Sequence, residues 1–147
     1  MSWRWSNVPL PDGHVVFLVV GVVLHFYKPW KLSDAYWLGS SIVWAMVAAG
    51  ALVAAWAVRT FTDMNTKKPT KIVTTGPYAL SGNPLYVAWT SVYIGVDLIL
   101  NTVWLLAFLP LVLIGTHYLA ILREERFLER EFGDEYTEYK GRVRRYL

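Results

Sequence analysis

The sequence predicts an all-α integral membrane bundle of about four transmembrane helices with a cytoplasmic amphipathic helical tail. Three observations predict it. Hydrophobic residues make up 55% of the 147 residues and charged ones only 17%, a balance that belongs to the membrane class. The run 36–58 carries no charge and exceeds the ~20 residues that a spanning helix needs. The cations, finally, are spread very unevenly over the polar segments between the apolar runs. Cysteine is absent, which excludes disulfides, thiolate metal sites and cysteine nucleophiles.

Each element of this single domain has its own signature. Residues 1–13 form a short amphipathic lead, with Trp3, Arg4 and Trp5 suited to an interface and two prolines that forbid a long helix. The first apolar run, 14–27, is followed by no small-x-small cleavage site and so does not read as a cleaved signal. It is shorter than the ~20 residues of a full span, so it must borrow flanking residues or cross a thinned region. After a turn containing Pro29 and Asp34 comes the second helix, 36–58, whose centre is dense in Ala and Gly. Gly50 and Ala54 stand at small-xxx-small spacing, which lets helices approach closely, within one chain or between two copies.

The connection 59–83 is polar and carries Lys67, Lys68 and Lys71. The third helix, 84–100, would cover roughly 26 Å at about 1.5 Å per residue. Asn101-Thr102 is a tight turn, so the third helix and the fourth, 102–122, make a hairpin, with a kink expected at Pro110. The tail, 123–147, opens on Arg123-Glu124-Glu125-Arg126. In it Gly133 ends one helix and Asp134 caps the next. Leu128, Phe132, Tyr136, Tyr139, Val143 and Leu147 recur at steps of three or four. That stripe suits the membrane surface or the flank of the bundle.

Four spans place twelve cations on one side and only Lys28 and Lys31 on the other. By the positive-inside rule both termini and the connection 59–83 then face the cytoplasm. The densest cluster of turn residues, 74–86, therefore shares its water with the charged tail. There Gly76-Pro77 reads as a turn, and Asn83-Pro84 as an N-cap followed by the first helical residue. A helix start also favours anions.

Ionisable residues near this face are the candidates for chemistry. His117 lies within the fourth helix, and an ionisable group in a membrane segment is a functional candidate by default. Seven residues on, Glu124 shares its helical face. The ordinary readings stand beside these: a histidine bonded to a neighbouring helix, and glutamates paired with the arginines around them. Asp97, another intramembrane acid, sits one turn from the opposite loop, where a capped or water-reached structural role suits it.

Val73-Thr74-Thr75-Gly76-Pro77-Tyr78, Asn83-Pro84-Leu85-Tyr86, Arg123-Glu124-Glu125-Arg126-Phe127-Leu128, Phe132-Gly133-Asp134-Glu135-Tyr136, Tyr139 and Val143-Arg144-Arg145 together resemble a family signature. The family is that of integral membrane methyltransferases, which includes isoprenylcysteine carboxyl methyltransferases and phospholipid methyltransferases. The likeness covers about residues 60–147. Gly82 stands where the family often has an arginine, so a cation expected there is missing, and the chain is short enough to lack extra gating helices.

The resemblance implies S-adenosylmethionine as methyl donor, bound between the end of the fourth helix, the tail and the stretch 74–86. Cofactor contacts carried over from it are Gly76, Pro77, Tyr78, Asn83, Pro84, Tyr86, Glu124, Glu125, Tyr136, Tyr139 and Arg145. His117 and Glu124, singled out above from their own chemistry, are the catalytic candidates, and no metal is expected. A carboxylate would receive the cofactor's ammonium, an arginine or helix N-terminus its carboxylate, and tyrosine faces its adenine. The implied partners are a lipophilic methyl acceptor entering sideways from the bilayer and the membrane lipids themselves, with no nucleic acid. A carboxylate or thiolate acceptor needs no base, whereas an amine must first lose a proton. Two rivals remain on the sequence. A small transporter would call for an acid deep in an early helix, and a noncatalytic relative would keep the fold without the transfer.

Overall fold

The computed structural model describes residues 12–34, 40–60 and 70–146. The lead 1–11, the expected start of the second helix at 36–39, Lys67 and Lys68, and Leu147 of the tail stripe lie outside the described residues. The described residues are helical, without a strand. Helix α1 is Asp12–Tyr27, α2 Ser41–Thr60, α3 Pro84–Leu100, α4 Val103–Gly115, α5 Leu122–Phe132 and α6 Asp134–Arg142. A 3-10 turn, Gly76–Ala79, precedes α3, and a π turn, Thr116–Ile121, joins α4 to α5.

Most boundaries follow local chemistry. The third helix begins at Pro84 and ends before Asn101, which adopts the left-handed conformation at φ 50°. Asparagine tolerates that region and so ends the helix cheaply. Thr102 caps α4, accepting the Trp104 N–H on its hydroxyl. Among the described residues the second helix starts at Ser41. Ser40 lies outside it, and the Ser40 carbonyl accepts the Trp44 N–H at 3.4 Å, which gives this serine the N-cap place.

The fourth helix corrects the expected end at 122. Val103–Phe132 runs as one continuous helix of 30 residues, through Pro110 and through the π turn. Arg123 to Phe132 is built of good helix formers, so no residue stops it before Gly133, at φ +52°. Asp134 is therefore the first residue of α6, and Gly133 holds the cap position expected of Asp134. In the π turn the Leu122 N–H donates to the His117 carbonyl, five residues back.

Small residues set the helix crossings. A Cβ on Gly50 would lie 3.0 Å from the Ala88 carbonyl oxygen of α3, and one on Gly95 would collide with Val47 of α2. The Ala- and Gly-rich centre of α2 is thus used for packing within the chain. Leu105 occupies the notch left by Gly21, joining α1 to α4. Two small cores result: Ala57, Tyr78 and Leu85 where α2 meets the 3-10 turn, and Tyr93, Leu105 and Val112 between α3 and α4.

Outward faces are apolar. Val19 and Val23 of α1, Ile42 and Leu52 of α2, and Leu111 and Ile114 of α4 are all exposed. In water such a surface would associate; in a bilayer it meets its own kind. Two helices, Ser41–Thr60 and Val103–Phe132, are long and apolar enough to cross a membrane, while α1 and α3 are shorter, at 16 and 17 residues.

Candidate active site

The polar stretch before α3 and the charged tail meet at one end of the bundle. Gly133 turns the chain so that α6 brings Tyr136 and Tyr139 back, both buried. The Tyr139 hydroxyl donates to the Tyr78 carbonyl at 2.8 Å, fastening α6 to the 3-10 turn. After α6 the chain becomes extended at Val143 and runs beside the loop, with Ser81 and Arg144 forming an isolated parallel bridge. The Gly82 N–H donates to the Arg144 carbonyl at 2.8 Å, and the Asn83 side-chain amide to the Arg145 carbonyl at 3.0 Å. Asn83 holds its expected N-cap position, yet its side chain makes no cap bond because the tail has claimed it.

The two adjacent glutamates have different fates. Glu125 is buried and receives Arg145 in a two-pronged pair, Nε to Oε1 at 2.6 Å and a terminal nitrogen to Oε2 at 3.0 Å. Lys140 stands 3.7 Å from the same carboxylate while bonding Glu129 at 2.6 Å. Those acids hold Arg145 and Lys140 above their usual pKa ranges, chiefly through the hydrogen bonds.

Glu124 makes no ion pair among the described residues. Its carboxylate accepts only the Tyr86 hydroxyl, at 3.5 Å. The side chain keeps open surface, yet the protein packed around it removes enough water to push its carboxyl above the ordinary glutamate range. The Tyr86 hydrogen bond opposes this shift and the neighbouring Glu125 charge adds to it. The same negative pair, behind the larger effect of burial, raises the phenol of Tyr136, and Glu124 raises that of Tyr78 in the same way. Burial alone takes Tyr139 to about 12. All three phenols are neutral hydrogen-bonding groups at physiological pH.

Two cavities flank this arrangement. A cleft of about 200 Å³ is lined by Asn83, Glu125, Tyr136, Tyr139, Lys140 and Arg145, among others. A larger one, about 480 Å³ and almost wholly apolar, lies between α3 and the π turn, with Tyr86, Thr90, Thr116, His117, Ile121 and Tyr146 in its wall. His117 bonds the Tyr146 hydroxyl through Nδ1, and its ring meets that of Tyr118 edge-on at 4.9 Å. The wide π turn lies between His117 and Glu124, so the α-helical phase that put them on one face does not hold. They meet the larger cavity by different routes, His117 directly and Glu124 through Tyr86.

A model of the family described as phospholipid methyltransferase matches residues 13–135. The chain belongs to the phospholipid methyltransferase family. The match covers more of the chain than the residues that carried the resemblance, reaching back through α1 and α2, and it ends before Tyr136. The chain is also similar to an uncharacterized protein of Haemophilus influenzae, 40% identical over 63 residues, which is 43% of this chain and 89% of that one. No solved structure matches the chain.

For a phospholipid methyltransferase family member, the residues fit a cationic donor such as S-adenosylmethionine. The test is Glu124, a carboxylate with open surface that accepts a phenol and pairs with no cation among the described residues. Of the residues carried over by resemblance, the structure gathers Asn83, Glu125, Tyr136, Tyr139 and Arg145 around the cleft, with Tyr86 at the larger cavity. Gly76, Pro77, Tyr78, Pro84 and Glu124 lie outside both linings, Glu124 reaching the larger cavity only through Tyr86. Gly76, at φ +61°, backs onto Thr60 and Trp56 of α2, where a Cβ would come within 2.8 Å of the Thr60 hydroxyl. Sequence reasoning passed over His14, Thr90, Thr116 and Tyr146. For His14 a signal existed, since it is an ionisable residue at the edge of an apolar run; Tyr146 carried none.

Proposed function

We propose that this chain transfers a methyl group from S-adenosylmethionine to a lipophilic acceptor, a carboxylate, amine or thiol, at the cytoplasmic membrane interface. Membership of the phospholipid methyltransferase family supports methyl transfer to a lipid. The observation that carries the cofactor assignment is Glu124, the acid left without a cation among the described residues while its neighbour Glu125 is paired twice over. When bound, S-adenosylmethionine supplies an electrophilic methyl on a sulfonium, together with an ammonium that a carboxylate recognises.

The chain's own residues then divide the work. Glu124 binds positive charge. Tyr136 and Tyr139 offer aromatic surface beside it, and Arg145 is the cation at hand for a carboxylate. Glu125 holds Arg145 and so fixes residues 143–146 against Gly82 and Asn83, where the missing family cation would stand. The larger cavity falls in the roughly 300–1,000 Å³ range of small-molecule sites, and its apolar wall excludes water from an acceptor entering between α3 and the π turn. His117 faces it with Nε2 free of partners among the described residues. With its Nδ1 hydrogen donated to Tyr146, Nε2 can take a proton from an amine acceptor. The cation excess of the connection and tail orients this end to the cytoplasm, with both termini on that side and four helices crossing the bilayer.

Titration of the purified protein with S-adenosylmethionine by calorimetry, followed by methyl release in the presence of total lipid extract, tests the proposal. Saturable binding with transfer to a lipid is expected. Absence of binding removes the cofactor assignment, and binding without transfer marks a noncatalytic relative.

A further inference from the structure

One buried histidine has no part in this scheme. His14, in the first turn of α1, exposes 2% of its surface and reaches two other helical segments. Its Nε2 lies 2.9 Å from the Thr90 hydroxyl of α3, and its Nδ1 lies 3.3 Å from the Thr116 hydroxyl that opens the π turn. Both threonines line the larger cavity. The ring is further braced by an edge-on contact with Tyr93 at 6.2 Å, and Tyr93 is itself tied to the Leu105 carbonyl at 3.0 Å.

The hydrogen positions follow from counting donors. A threonine hydroxyl has one hydrogen, and that of Thr90 goes to the Tyr86 carbonyl at 2.9 Å. Thr90 must therefore accept from His14, which assigns the ring hydrogen to Nε2. No carboxylate pairs with the ring among the described residues, so the buried imidazole is neutral and Nδ1 is an acceptor. The Thr116 hydroxyl then spends its hydrogen on Nδ1. Both hydroxyl hydrogens are thus spent within the protein, and each oxygen keeps a lone pair with no donor among the described residues.

We propose that Thr90 and Thr116, set by His14, form a subsite in the cavity wall that accepts a hydrogen bond from the lipophilic methyl acceptor. The subsite selects molecules bearing an O–H or N–H at that depth and disfavours a bare ether, ester or carboxylate oxygen there. His14 is its positioning residue. The inference rests on the reading of this cavity as the acceptor's berth, and it can fail separately from that reading.

The test is direct binding of two uncharged probes, oleyl alcohol and oleyl methyl ether, to the full-length protein in detergent micelles. They share a chain and differ in the donor hydrogen, so neither engages Glu124 by charge. The wild type should bind the alcohol about three- to tenfold more tightly, the worth of one hydrogen bond. His14→Phe and the double replacement Thr90→Val with Thr116→Val should bring the ratio to about one. His14→Gln, whose amide keeps one donor and one acceptor, should recover part of it. Affinity for S-adenosylmethionine, measured alongside, shows that each variant is folded. A ratio near one in the wild type, or one that persists in folded His14→Phe, overturns the proposal. Loss of methyl transfer with the ratio intact would instead strike at the enzymatic reading and leave the subsite standing.

Discussion

The two ends of the bundle are joined in the same way and finished differently. At the end formed by the loop before residue 35 and the α3–α4 hairpin, Lys31 and Thr102 make an isolated antiparallel bridge. The Val103 N–H donates there to the Trp30 carbonyl at 2.9 Å, and the Asn101 side chain exchanges hydrogen bonds with the Ser33 backbone. Its buried acid, Asp97, accepts the Leu106 N–H at 3.1 Å, one of the orphan donors in the first turn of α4. At the other end Ser81 and Arg144 make the matching bridge, but the acids there outrun their partners. Glu125 is satisfied by cations, whereas Glu124 has a phenol alone among the described residues. Asp97 spends its carboxylate on a backbone donor of the same hairpin. Under the proposed function, Glu124 is the acid kept for a charge from outside.

Exchanging the two acids for amides gives the sharpest contrast. Glu124→Gln should weaken S-adenosylmethionine binding by about 1.5–3 kcal/mol, the worth of hydrogen bonds to a charged group, or about 10- to 150-fold in calorimetry. Asp97→Asn should leave that affinity within about twofold, because an amide oxygen can still accept the Leu106 N–H. Equal losses in the two variants would erase the distinction between the ends.

Gly95→Val drives a side chain into Val47 where α2 crosses α3. It should cost about 1–3 kcal/mol in unfolding, as overpacked cores do, and lower activity only through the folded fraction. Asn101→Ala forces alanine into the left-handed region and removes the bonds to Ser33, for about 1–2 kcal/mol of stability with transfer per folded molecule unchanged. If transfer fell as well, the hairpin end would not be purely structural.

The smallest effect is with pH. The Glu124 carboxyl is raised in the fold, so its contribution to stability is full below the ordinary glutamate range and lost as pH rises through the raised value. A cationic ligand favours the carboxylate, so binding in that window should release protons and strengthen as pH rises. Calorimetry in buffers of different ionisation enthalpy should record the release in the wild type and its disappearance in Glu124→Gln.

Much of this was legible along the chain. The third helix was bounded by Pro84 and Asn101, residues whose backbone preferences act locally, and the hairpin followed from them. The turn at Gly76-Pro77 was readable on the same grounds. The end of α4 was not. A switch from apolar to charged residues at Arg123 marks a change of solvent, and the backbone is indifferent to it until a residue such as Gly133 breaks the helix. The π turn, which takes His117 and Glu124 out of their expected phase, has no local signature in Thr116–Ile121.

Composition, charge pattern and punctuation by Pro, Gly and Asn determined on their own that the chain is helical and apolar on its outside. They also placed its charged segments where they can meet, because helix formation and preference for lipid depend on near neighbours and on side-chain chemistry. Only the tertiary structure decided that Arg145 pairs with Glu125 and not with Glu124, that Asn83 bonds the tail, and that His14 is joined to Thr90 and Thr116. Those contacts link residues 20 to 102 positions apart. They depend on how the helices and the tail pack in three dimensions, including the close approaches allowed by Gly21, Gly50 and Gly95, which no local pattern in the chain specifies.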